Sequence, residues 1–204
     1  MAFDGITIAA MVSELNKNLS GGRINKIAQP ESDELLITGK GANGQKRLLL
    51  SASASLPLIY FTGKNRISPL TAPNFCMLLR KHIGSARITA IRQPGLERVV
   101  EFELEHLNEL GDVCHKVLIM ELMGKHSNII FCDDNNMILD SIKHVSCNVS
   151  SVREVLPGRP YFIPHTQDKL DPLTISREDF MEKVCGRSNA VSKALYQTLT
   201  GFSP

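Results

Sequence analysis

Four successive side chains able to donate hydrogen bonds, Lys125, His126, Ser127 and Asn128, follow Met123-Gly124 between two apolar runs. Lys125 adds a positive charge, and Gly124 allows the backbone to turn sharply or to approach a ligand closely. Such a corner can grip an anion or a polar edge; it is equally the solvated tip of a tight strand connection. A second candidate is Glu97-Arg98. Arg98 falls at the edge of the apolar face of an alternating strand, where a guanidinium needs partners. It could hold a phosphate bidentately, or be neutralised in a structural salt bridge by a carboxylate such as Asp4. Arg80 and Lys81, with His82, close a short helix, where they answer the negative end of its dipole or point at phosphates.

These cations are not evenly spread. Lys64, Arg66, Arg80, Lys81, Arg87, Arg92 and Arg98 share one segment with a single acid, Glu97, so residues 64–98 carry +6. The chain as a whole carries +2, so the remaining residues sum to −4. Segregation of this kind suggests a polyanion facing one side of the fold, against the plain alternative of chance clustering on a solvated surface.

Other chemistries find little support. Five widely spaced cysteines form no CxxC pair and read as reduced thiols of a cytosolic protein, and six histidines form no HExxH, so neither a metal site nor a cofactor is expected. Gly39-Lys40-Gly41-Ala42-Asn43-Gly44 is a literal GxGxxG, but that fingerprint needs a helix after its glycines. Here strands flank it, which predicts a flexible hairpin. No apolar run is long enough to span a membrane, and the N-terminus lacks the basic region of a secretory signal.

The elements that must position the candidates follow from periodicity. Ile8, Met11, Val12, Leu15 and Leu19 mark one helical face, started by Thr7 or Asp4 and stopped at Ser20-Gly21-Gly22. Capping is thus the ordinary role for Asp4. Strands are expected over Arg23–Gln29, Glu34–Gly39, Lys46–Ala52 and Leu56–Phe61. Pro73–Gly84 predicts a short helix burying Phe75, Leu78, Leu79 and Ile83. Ala86–Gln93 and Glu97–Glu105 predict a hairpin, with Arg98, Val100, Phe102 and Leu104 on the apolar face. Val117–Leu122, Asn128–Cys132 and Met137–Ile142 read as a meander around the donor-rich corner. Ser150–Leu156 predicts a helical turn, and Pro157–Pro164 an extended segment packing Tyr161 and Phe162 on the domain. Helices over Arg177–Cys185 and Ala190–Leu199 close the chain, whose ending on Gly201-Phe202-Ser203-Pro204 suggests the N-terminal part of something longer.

The ordered set FDGITIAAMVSEL, PNFCMLLRKHIG, QPGLERVVEFE, ELMGKHSNIIF and LPGRPYFIP resembles the N-terminal domain of the NFACT family, and AVSKALYQTLTGFSP looks like the start of the helix-hairpin-helix module that follows it. The resemblance implies an α+β fold: a two-lobed β-rich domain with flanking helices over residues 1–170, similar to the N-terminal domain of formamidopyrimidine-type DNA glycosylases, with a helical segment over 171–204. The Pro-Glu start of those enzymes is replaced by Ala2-Phe3, so no glycosylase or lyase activity is expected. The resemblance further implies a cytoplasmic factor of ribosome quality control that binds tRNA on a stalled large ribosomal subunit carrying peptidyl-tRNA, recruits alanyl-tRNA and supports template-free alanine tailing. An acidic-Arg pair important in the family matches Glu97-Arg98, with Glu where Asp is common. Asp4 matches an acidic position near the start. The expected nucleic-acid contacts are therefore Asp4, Arg80, Lys81, Glu97, Arg98, Lys125, His126, Ser127 and Asn128. A fibronectin-binding surface adhesin, suggested by the family's older name, is the alternative.

Overall fold

The computed structural model describes residues 3–164 and 168–203. Nine antiparallel strands form one sheet in the order β4-β3-β2-β1-β5-β6-β7-β8-β9. The strands are β1 Arg23–Ala28, β2 Glu34–Gly41, β3 Gly44–Ser51, β4 Leu58–Phe61, β5 Arg87–Arg92, β6 Val99–Leu107, β7 Val113–Glu121, β8 Asn128–Asp133 and β9 Ile138–Ser141. The GxGxxG stretch is a hairpin, as its strand context predicts: Gly41 pairs with Gly44 at its tip. Two meanders, β1–β4 and β5–β9, are stitched together between β1 and β5 by the pair Arg23–Arg87. Backbone bonds from Ile24 to Ala86 and from Ile88 to Gly22 flank that pair. The expected two lobes are thus halves of one continuous sheet.

Two helices lie on one face, α1 Gly5–Leu19 and α2 Asn74–Ile83. Their apolar stripes, Ile8, Leu15 and Leu19 from α1 and Phe75, Leu79 and Ile83 from α2, meet Ile37, Leu48, Leu50, Phe102, Leu118 and Phe131 in the main core. Arg80 and Lys81 in the last turn of α2 stand at the negative end of the helix, while burial, then the neighbouring Lys81, lowers the pKa of His82 and favours its neutral form.

On the opposite face, a smaller core of Val99, Ile119, Ile130, Ile138 and Val155 lies under the segment 145–163. Sequence spacing predicts a helical turn over Ser150–Leu156; instead Val155 forms an antiparallel bridge to Val145. Leu156 precedes Pro157, which disfavours helical backbone, and Val155 is 2% exposed in the second core. The chain then runs along β9 as a strap, with Ile138 donating to Arg159 and Tyr161 to Asn136, and so covers that sheet edge.

The strap is held by a carboxylate that spacing did not reveal. Glu121 is completely buried at the end of β7. It accepts one bond from the Arg153 guanidinium, itself 10% exposed, and another from the Tyr161 hydroxyl at 3.0 Å. Arg153 also stacks over the Tyr161 ring, 5.4 Å from its centre. The last part of the chain has its own small core of Val184, Ala194 and Leu199. There the expected Arg177–Cys185 helix is α-helical only over α3 Arg177–Phe180 and widens to π-helix over Met181–Cys185, and α4 runs Val191–Thr198.

Two predictions follow from the strap. Arg153→Met leaves a buried carboxylate without its counter-charge and should cost about 3–5 kcal/mol in urea unfolding. Adding Glu121→Gln to that variant should restore part of the loss. The second concerns alkaline pH. Burial, then the Glu121 carboxylate, pushes the Tyr161 hydroxyl above its usual 10.0, and burial, then acidic neighbours, pushes the Cys132 thiol from 9.0 to about 12. Both groups hold their protons in the folded state longer than in the unfolded chain. Their contribution is therefore complete below about pH 9 and is lost as pH rises. Unfolding free energy should decline from pH 9 upward, and Tyr161→Phe should flatten the part of the decline above pH 10.

Candidate functional site

Asp4 starts the site by starting a helix. Its carboxylate accepts from the Thr7 N–H at 2.8 Å, the N-cap bond of α1. The next residue must be glycine. A Cβ on Gly5 would stand 2.0 Å from the Leu96 carbonyl oxygen and 2.6 Å from the Gly201 Cα. Gly5 donates its N–H to the Gly201 carbonyl at 2.9 Å, and the Gln93 amide bridges the Gly5 and Glu97 carbonyls at 2.8 Å each. The β5–β6 turn, the first residue of α1 and the loop after α4 therefore converge on one point.

Around that junction opens a cleft of about 960 Å³. Asp4, Glu97 and Asp171 bring carboxylates to its lining and Arg98 and Lys169 bring cations, while Met123, Phe162, Ile163 and Phe202 supply apolar wall. Mixed polarity of this kind can receive a phosphate at the cations and a hydrogen-bonding edge at the carboxylates.

Arg98 departs from the sequence expectation. It is exposed rather than half-hidden. It forms no ion pair among the described residues, with Asp4 or any other acid. Regular pairing of β6 begins only at Val99, where Val99 and Val100 are buried on opposite faces. The alternation that assigned Arg98 to the apolar side therefore starts one residue too late to include it. Its carbonyl accepts from the Leu122 N–H at 2.9 Å, which sets Arg98 beside the donor-rich corner.

That corner divides in two. Lys125 and His126 are exposed in a 3-10 turn, Gly124–His126. Ser127 and Asn128 are 1% and 2% exposed and turned inward. The Ser127 hydroxyl accepts from the Met123 N–H at 2.8 Å, and the Asn128 amide group bonds both backbone groups of Lys143. Lys143 in turn reaches the carbonyls of Ser127 and Ala52, tying the corner to the first meander. The expectation that Ser127 and Asn128 face a ligand is corrected: a chain reversing between two buried strands must satisfy its backbone, and these side chains do it.

The basic segment does not form one flank. Lys64 and Arg66 lie beyond β4, with Arg66 paired to Glu34 at 3.0 Å. Arg80 and Lys81 sit on α2, where the Arg80 Nε donates to the Ile27 carbonyl at 2.8 Å. Arg87 and Arg92 stand at opposite ends of β5, and Arg92 pairs with Glu103 at 2.9 Å. Of the seven, Arg98 alone lines the cleft. Proximity in sequence placed them together because the segment is one helix and one strand, whose ends point to different parts of the surface. Lys169, Asp171 and the Gly5–Gly201 contact were not anticipated. No spacing rule relates Gly201 to a glycine at the other end of the chain.

An antiparallel α+β domain with two helices on one sheet face, and a charged cleft where a short helical segment closes on α1, defines the structural class. The chain belongs to the NFACT family: it matches the profile of the NFACT N-terminal and middle domains over residues 4–204. It is 41% identical to the Rqc2 homolog RqcH of Bacillus subtilis (strain 168), over all of this chain and 36% of that protein. It is 26% identical to the mouse (Mus musculus) ribosome quality control complex subunit NEMF, over 86% of this chain and 16% of that protein. The N-terminal domain of fibronectin-binding protein PavA from Streptococcus pneumoniae superposes with a TM-score of 0.91 at 36% identity, covering 99% of this chain and 76% of that one. The chain thus spans about a third of the length of its RqcH relative. Among the described residues no helix is long and apolar enough to cross a membrane, and no three His, Cys, Asp or Glu side chains converge as a metal site.

The junction gives a direct test. Gly5→Ala forces backbone apart at Leu96 and Gly201 and should destabilise by about 1–3 kcal/mol in urea unfolding. Gly21→Ala, where nothing lies within 4 Å of the added carbon, carries only the cost of its positive φ and serves as the comparison.

Proposed function

We propose that this domain is the tRNA-engaging part of a cytoplasmic ribosome quality-control factor, working on the large ribosomal subunit and acting by binding rather than by catalysis. The observation that carries the reading is Arg98, exposed beside Glu97 at the cleft and without an ion pair among the described residues. A guanidinium left unpaired near three carboxylates is available to a phosphate, while Glu97 or Asp4 can accept from a base edge. Relatives named as ribosome quality-control subunit and Rqc2 homolog support the reading. In it, the whole protein recruits alanyl-tRNA to stalled subunits bearing peptidyl-tRNA and supports template-free alanine tailing. Lys125 and His126, next to the cleft wall at Met123, extend the contact. Arg80 and Lys81, on α2, would touch only a partner large enough to reach around the domain.

The alternative, a fibronectin-binding adhesin, draws on the name of the structural neighbour PavA. Filter binding separates the two. Arg98→Ala and Glu97→Ala should each lower tRNA affinity about tenfold or more, in line with about 1–3 kcal/mol for a specific contact, with unchanged thermal melting. Wild-type tRNA binding by both variants, or saturable fibronectin binding in its place, sinks the proposal.

A further inference from the structure

The strand register gathers a second group of cations on the sheet face opposite α1 and α2. Directly paired residues share a face. Arg87 pairs with Arg23, and Arg23 with Lys40, forming one row across β5, β1 and β2. Lys26 pairs with Thr38, and Thr38 with Arg47, forming the next row across β1, β2 and β3. The residues that alternate with them, Ile24, Ile37, Leu48 and Ile88, enter the main core, so the cations point away from the helices. Arg23, Lys26, Lys40 and Arg87 are exposed, and Arg47 is half-buried. None of the five is in an ion pair among the described residues. The Arg23 and Arg47 guanidinium groups each give one N–H to a carbonyl, of Ser85 and Gly63, and keep the others.

Two carboxylates border the group. Glu105 stands beside Arg87, and Glu34, at the far end of β2, is taken by Arg66. With strands about 4.8 Å apart and rows about 7 Å apart, the cationic area spans about 14 Å across the sheet. It lies at the Arg87 end of β5, about 17 Å along the strand from the Arg92 end that leads into the cleft.

We propose that this face is a second contact for RNA, a flat cradle for the phosphodiester backbone of a single strand or loop. The proposal rests on the tRNA-binding reading for the class of polyanion, and on its own charges for the place. Cations without ion pairs, spread over a sheet face with only Arg47 lining a small cavity, fit phosphates read without regard to sequence, and Tyr60, 38% exposed in the adjoining row opposite Leu49, offers a ring on which a base can stack. A membrane surface is a poorer fit. The exposed large apolar side chains Ile67 and Leu70 follow Arg66 in the loop after β4, beside the group. Within the paired rows themselves Tyr60 is the one large apolar side chain that is exposed, so the rows present charge rather than an inserting surface.

The test compares the whole chain with Lys26→Gln/Lys40→Gln/Arg47→Gln and with Arg98→Ala, using labelled oligouridine, bulk tRNA and vesicles containing phosphatidylserine. All fold states are checked by thermal melting. If all five cations meet phosphates of a single strand, affinity for oligouridine should fall about a hundredfold between about 50 and about 200 mM salt, and only about sevenfold in the triple variant. Arg98→Ala should keep the steep salt dependence on oligouridine while losing tRNA affinity. A triple variant with wild-type salt dependence overturns the inference and leaves the cleft reading standing. Loss in the triple variant with unchanged tRNA binding by Arg98→Ala upholds the inference and overturns the cleft reading. Vesicle binding that the triple variant loses, with oligouridine binding intact, overturns the inference in favour of a lipid surface. Should the triple variant fail to fold, the single variant Lys40→Gln at an exposed strand end decides: a salt slope on oligouridine lower by about 0.7 upholds the inference, and an unchanged slope overturns it.

Discussion

Both oxygens of the Glu121 carboxylate are occupied inside the protein, one by Arg153 and one by Tyr161. Glu121 ends β7, and Leu122 and Met123 carry the chain from there to the cleft. Arg153 and Tyr161 belong to the strap across β9, and the residues immediately after Tyr161 form cleft wall. One buried ion pair therefore fixes two sides of the site at once. Such a pair adds little net stability over an apolar substitute, because each charge has first been taken out of water. What it does impose is position. A hydrophobic contact between strap and sheet could slide, whereas a carboxylate with two hydrogen-bonded partners has one geometry.

A second constraint acts from the other direction. At Gly5 three backbone segments approach more closely than any side chain allows, so the turn after β5 and the loop after α4 meet the start of α1 at a fixed distance. Asp4 is consequently aimed by helix capping and Glu97 by the Gln93 bridge. Neither residue depends on Arg98 for its position, and this leaves the guanidinium uncommitted. The acids and the cation share a cleft because their backbones are held there.

The sequence carried the sheet well. Alternation and turn chemistry located the strands, the α1 stripe and its Asp4 cap, and the hairpin hidden in a GxGxxG, because these depend on residues near in sequence. It carried the site less well. Alternation assigned Arg98 to the apolar side since it has no means of knowing where a strand begins. Donor count promoted Ser127 and Asn128 although buried turns consume donors. The basic segment looked like one flank because charge was summed along the chain, while the sheet distributes that segment over several elements. Glu121, Arg153 and Tyr161 are far apart in sequence and ordinary in type, so only the fold could join them.

Net charge is a poor guide to what this surface attracts. At +2 the whole chain is nearly neutral, yet the open face of the sheet is divided. Glu101, Glu103 and Glu105 follow one another along β6 on the side away from the helices, and burial together with Glu103 raises the Glu101 carboxyl above its usual value. On β5, Arg92 is drawn to Glu103, while Arg87 stands between Glu105 and the cations of β1 and β2. A polyanion approaching this face is attracted over the first meander and repelled over the second. The charge boundary at β5 is set by register, since a one-residue slip of β1 or β6 would turn these charges into the core. The direction this face would impose on a polyanion is built into the same pairings that hold the sheet together.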